Sequence, residues 1–263
     1  MHIFHSEILI LMQQQMEGIK SISFEKEVVI PSLRQKLESL PTLTSARIYR
    51  FPICKFINDP YTPRIVSIGP MHDPGNTGLQ SMEEYKLRNL QDFLLRTKVS
   101  LVDYIELVAE REAKLHNSYE ETSNLSSDEF LAMILVDSAF VIESLLRFSS
   151  QSKANKDHGI FGKPLLEEDI WYDMLVLENQ LPFFILEDLF VKAKIIIPPE
   201  EDERRSLIWL IHNAFKDKVL LAGIQELWEK LCCSKIEHFL HFVRICHLPQ
   251  QLPLKCEMKS NLL

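Results

Sequence analysis

Seven glycines against thirteen prolines, in a chain of 263 residues, narrow the fold more than any other feature. Glycine supplies the positive-φ positions of hairpin turns. A chain this poor in it does not build a turn-rich all-β fold, nor the glycine loops that cradle phosphates. What remains are long runs whose apolar residues recur three and four apart, the spacing of one helix face. The expected architecture is mainly α: a single multi-helix domain with a short extended, proline-rich segment near 47–79. That segment holds five of the prolines and three of the glycines, and "RIVSI" (64–68) is its best short strand.

Residues 1–45 read as an N-terminal helical arm, 46–250 as the main domain and 251–263 as a flexible tail. Met82 and Tyr85 lead into a long helix with Leu87, Leu90, Leu94, Leu101, Ile105 and Val108 on one face. Glu83, Glu84, Lys86 and Arg88 form its charged face, and a break is expected near 97–103. Ser126 and Glu129 then make a capping box, with Leu125 and Phe130 spaced for a hydrophobic staple, so a helix over 127–148 is expected. The polar stretch 149–164 reads as a surface loop. Later helices are expected from near Pro199, over "LLAGIQELWEKLCC", and over "SKIEHFLHFVRICHLP" behind a second S-x-x-E cap, Ser234–Glu237.

A net charge of −8 disfavours nucleic acid, which needs a clustered basic surface. The five cysteines are odd in number and form no CxxC pair, which points to reduced thiols. No signal peptide is evident. The most apolar stretch, 130–148, is interrupted by Asp137 and Glu143, so it reads as a buried core helix and not a membrane span.

Signatures of nucleotide, metalloprotease, serine hydrolase and kinase sites are absent. Cys232, Cys233, His238, His241, Cys246 and His247 cluster near the C-terminus, but adjacent cysteines point apart. Phe239, Phe242, Val243 and Cys246 make that segment an ordinary apolar helix face, so no metal and no cofactor is expected. Asn124 heads a sequon, read as a chance match because Ser126 is a helix cap. Asp137, Glu143, Asp173 and Glu178 all lie in apolar surroundings. Buried carboxylates on helices usually bond chain ends or amides. An enzyme would instead gather Asp137, Asp173, Glu178 and His72 around one pocket.

The stretch "DMLVLENQLPFFILEDLF" (173–190) places Glu178, Asn179 and Gln180 inside an apolar run, with Pro182 just after. It reads as two helices meeting. The first spans 167–178 with Ile170, Met174 and Leu177 on one face, and Pro182 stands in the first turn of the second. Asn179 and Gln180 fall at the junction, where side-chain amides bond the groups that helix ends leave free.

"RIYRFP", "YTPRIVSIGPMHDP", "LQSMEEYKLRNLQDFL", "SSDEFLAMILVDSAFVIESLL" and "DMLVLENQLPFFILEDLF" follow one another in an order and spacing that resembles the plant "domain of unknown function 247" family, over about 47–250. The resemblance marks Gly69, Pro70, His72, Asp137, Asp173, Glu178, Asn179, Gln180 and Pro182 as structural hallmarks and supplies no catalytic residue. Met71 stands where the family usually has tyrosine, Asp73 where a second histidine is common, and Ser138-Ala139 where Gly-Cys is usual. Members usually continue well beyond this length to a hydrophobic anchor helix, and some grass members are implicated in self-incompatibility. The resemblance therefore implies a plasma-membrane-associated plant protein that recognises protein partners. The chain carries no anchor of its own, so it is expected to be cytoplasmic or peripheral to the membrane. The leading expectation is a non-enzymatic interaction or signalling module. The alternatives are a hydrolase-like or other enzyme with an acidic site, or a truncated, non-functional fragment.

Overall fold

The computed structural model describes residues 48–50, 61–72, 79–120, 125–149, 164–197, 203–216, 231 and 235–247. The arm at 1–45, the tail at 251–263, the loop interior at 150–163, Asn124, Cys232 and Cys233 lie outside the described residues, as does "LLAGIQELWEKLCC" apart from Leu231. Among the described residues the chain is mainly α. A 3-10 turn over Leu79–Met82 leads into α1 (Glu83–Thr97), followed by α2 (Leu101–His116) and α3 (Ser127–Ser149). Next come α4 (Pro164–Met174), α5 (Phe183–Ala193), α6 (Glu203–Phe215) and α7 (Phe239–His247). None of these helices is long and apolar enough to cross a membrane.

α3 is the central element, with α1, α2, α5 and α6 packed against it. Its start is the expected capping box: Ser126 N–H donates to Glu129 Oε2 at 2.9 Å, and Glu129 N–H to Ser126 Oγ at 3.4 Å. Buried residues run along it on nearly every side, among them Phe130, Ile134, Phe140 and Ile142. Trp171 of α4 extends the core by stacking on Phe148 and meeting Phe215 edge-on, with centroids 4.6 and 4.0 Å away. The break between α1 and α2 falls at Lys98, whose φ of 57° ends α1, and at Ser100, whose hydroxyl accepts the Asp103 N–H at 3.1 Å.

Four expectations need correction. The apolar face assigned to α1 and α2 holds for Met82, Val108 and the partly buried Leu90, Leu94 and Ile105, but Leu87 and Leu101 are exposed, whereas Lys86 is 2% exposed and Asn89 is also buried. Leucines do sit on solvent faces, and a lysine goes inside when a carboxylate meets it there. α4 spans 164–174 rather than 167–178, because Gln180 folds back onto its last carbonyls. "RIVSI" belongs to no strand: the chain bends at Arg64 and Ile65, and residues 66–68 are irregular. The one β-type pairing among the described residues is an isolated parallel bridge between Ile48 and Tyr119. Finally, Glu237 precedes α7 instead of standing at its third position. His238 is the cap, its Nδ1 accepting the His241 N–H at 3.3 Å, while His241 Nδ1 accepts the Glu237 N–H at 3.2 Å. Burial, with His241 adding to it, lowers the His238 pKa to about 4, so the ring is a neutral acceptor.

Candidate functional site: a polar hub around residues 64–72

An irregular segment without a sheet must place its backbone groups elsewhere. Here helix side chains take them. The Asp173 carboxylate, at the end of α4, accepts three consecutive N–H groups, from Arg64 (2.7 Å), Ile65 (2.8 Å) and Val66 (2.9 Å). Asn179 accepts the Ile68 N–H at 2.6 Å and donates to the carbonyls of Val66 and Asp173 at 3.0 and 2.9 Å. Asp137 of α3 accepts the Gly69 N–H at 2.8 Å with one oxygen and Lys86 Nζ at 2.6 Å with the other. Lys86 also donates to the Ser67 carbonyl at 3.0 Å. Two acids, an amide and a lysine thus take the part of the neighbouring strands.

The turn that follows needs its glycine. Gly69 has φ +79°, and a Cβ there would lie 2.7 Å from the Gln180 carbonyl oxygen and 3.1 Å from the Tyr119 hydroxyl. The hydroxyl of Ser67 closes the turn by donating to the His72 carbonyl at 2.7 Å. Pro70 and Met71 lie within it, and the Met71 carbonyl accepts from Arg50 at 3.1 Å. Glu178 faces this end of the segment, 3.8 Å from His72 Nε2 and 3.9 Å from Arg50.

Gln180 is the joint between helices. Its Nε2 donates to the carbonyls of Met174 (2.8 Å) and Val176 (2.7 Å), closing the end of α4. Its Oε1 accepts the Leu240 N–H at 3.2 Å in the first turn of α7, and its backbone carbonyl accepts from Tyr119 Oη at 3.1 Å. Pro182 stands just before α5, where its missing N–H costs nothing.

Electrostatics follow burial. Desolvation pushes the Asp137 carboxyl above its usual range, against the pull of Lys86 and the Gly69 N–H. Burial works against the Lys86 charge too, but Asp137, with help from Glu83, more than offsets it and holds the ammonium above its ordinary value. Burial likewise raises Asp173 against its three N–H donors. It raises the Tyr119 hydroxyl well above 10, which keeps it a donor.

The hallmark residues are therefore brought together around a stretch of backbone. None of Asp137, Asp173, Glu178 or His72 lines the cavity that the structure describes. Sequence reasoning missed Lys86 and Tyr119. Lys86 did leave a signal, since it falls between Met82 and Asn89–Leu90–Phe93 at helical spacing; Tyr119, in an irregular stretch, left none. Among the described residues no group of three or more histidine, cysteine or acidic side chains is placed to hold a metal ion.

Residues 48–261 match DUF247, a family described as plant protein of unknown function. The UPF0481 protein At3g47200 of Arabidopsis thaliana is 33% identical over 210 residues, which cover 78% of this chain and 42% of that protein. The putative UPF0481 protein At3g02645, also of Arabidopsis thaliana, is 30% identical over 129 residues, or 49% of this chain and 23% of that protein. The matched region thus spans less than half the length of these relatives. No solved structure matches.

Proposed function

The chain belongs to the DUF247 family of plant proteins of unknown function, and from that premise we propose that its helical domain is a non-enzymatic interaction module for protein partners. One observation carries the reading: the buried carboxylates of Asp137 and Asp173 are committed to structural hydrogen bonds, as is the neighbouring Asn179 amide. Asp173 and Asn179 hold residues 64–68, and Asp137 holds Gly69 and Lys86. Such a hub supports rigid presentation of a surface. A net charge of −8 argues for protein over nucleic acid as the partner. Association with the plasma membrane, and recognition of the self-incompatibility kind, belong to the same proposal and rest on family membership.

Proximity labelling in plant cells tests it. The wild-type chain is compared with Leu95→Glu/Val102→Glu, which changes two exposed apolar side chains and leaves the core intact. A reproducible protein set that this variant, or a panel of like surface variants, loses is the expected result, with part of it recovered from plasma-membrane fractions. Turnover in a broad hydrolase and transferase screen, abolished by Asp137→Asn or Glu178→Gln, would sink the proposal.

A further inference from the structure

A cavity of about 200 Å³ opens between Ile48, the last turn of α2, the start of α5 and residues 235–237. Ile48, Pro182, Phe184 and Ile236 give it apolar walls, and four charged side chains line it as well: Lys114, Lys235, Glu187 and Glu237. Lys235 already has a counter-charge, Glu237 at 3.7 Å. Lys114 differs. Its ammonium lies 3.6 Å from the centroid of the Phe184 ring, and no carboxylate among the described residues stands within ion-pair distance of it. A cation held over an aromatic face beside an apolar cavity, with no anion of its own, is half of an ion pair.

We propose that this cavity binds a small organic monoanion, a carboxylate carried on one ring or on an apolar body of similar size. Size sets the body: benzene fills an apolar cavity of ~150 Å³, so the space here takes one ring and a short acidic arm. Charge sets the head group. Lys114 supplies the attraction. Two ammonium groups and two carboxylates leave the lining without net positive charge, so a carboxylate is preferred over a phosphate ester, which carries about −1.5 to −2 at neutral pH. The site is separate from the hub and does not depend on the interaction role proposed above.

Titration calorimetry of the whole chain decides it, with 3-phenylpropionate, its neutral amide 3-phenylpropionamide, and phenyl phosphate as probes. One equivalent of 3-phenylpropionate is expected to bind, with the amide and the phosphate each weaker by about tenfold or more. Lys114→Gln removes the charge and its contact with the Phe184 ring, so it should weaken the carboxylate by about tenfold while leaving the weak binding of the neutral amide unchanged, which a merely unfolded variant would not do. Glu187→Gln should narrow the gap between phosphate and carboxylate. Equal binding of acid and amide, an undiminished affinity in Lys114→Gln, or no heat from the acid at millimolar concentration would each overturn the proposal.

Discussion

Two carboxylates on α3 are equally hidden, Asp137 at 1% and Glu143 at 0% exposure, yet they sit in opposite situations. Asp137 meets Lys86, whose side chain is itself only 2% exposed, and the Gly69 backbone. Glu143 is gripped by Arg96 from α1 through two hydrogen bonds of 2.8 and 3.0 Å, and the Arg96 side chain remains 48% exposed. One pair is closed inside the molecule; the other is a solvent-side clamp on a buried end. The carboxylate's own burial does not tell them apart. What differs is where the partner goes when the carboxylate is removed.

That contrast makes the largest prediction. Asp137→Ala leaves the buried Lys86 ammonium with only Glu83 and the Ser67 carbonyl, and the Gly69 N–H with no acceptor, and is expected to lower unfolding stability by about 3 kcal/mol. Glu143→Ala lets Arg96 swing into solvent, and its cost should stay near 1–2 kcal/mol. Equal losses in urea unfolding would break the comparison. Acid titration sharpens it next. His238 is held at about 4, below the ordinary 6.5, so the unfolded chain takes the proton first as pH falls. Its contribution is complete above about 6.5 and lost by about 4, worth about 3 kcal/mol over that window. His238→Asn keeps an acceptor at the cap and should flatten that slope, leaving the carboxylates to account for whatever remains.

Asn179→Ala comes third, at about 2 kcal/mol, because it removes the partners of the Ile68 N–H and the Val66 carbonyl, while the Asp173 carbonyl keeps the Val176 N–H. It tests whether neutral bonds to the segment rival the charged one at Asp137. The smallest effect belongs to Arg88→Ala. Its i,i+4 pair with Glu84 is exposed on both sides, and thermal melts should show no resolved shift of the midpoint.

The helical class was legible because periodicity and capping are local: Ser126 and Glu129 announce α3 within four residues. The LENQ stretch was legible as a joint because three polar residues in an apolar run have few other structural uses. The burial of Lys86 in α1 was not. Hydrophobicity ranks leucine above lysine for burial, and only the position of Asp137 on another helix reverses that order at Lys86. Residues 64–68 were misread as a strand for the same reason. They prefer β geometry, but the groups that satisfy them lie on α3, α4 and the α4–α5 link, beyond the reach of any local pattern.

Those distances along the chain have a consequence for synthesis. The bonds from Asp173 and Asn179 to residues 64–68 join positions 107 to 113 residues apart. At about 5–20 residues per second, a ribosome that has made the segment needs roughly 5 to 20 s more to make its holders. Through that interval the segment's N–H groups are open to water or to a chaperone, and contacts of such long range are slow to form even afterwards. Docking of residues 64–69 is therefore a late event in the birth of this domain, and the step a holdase would guard.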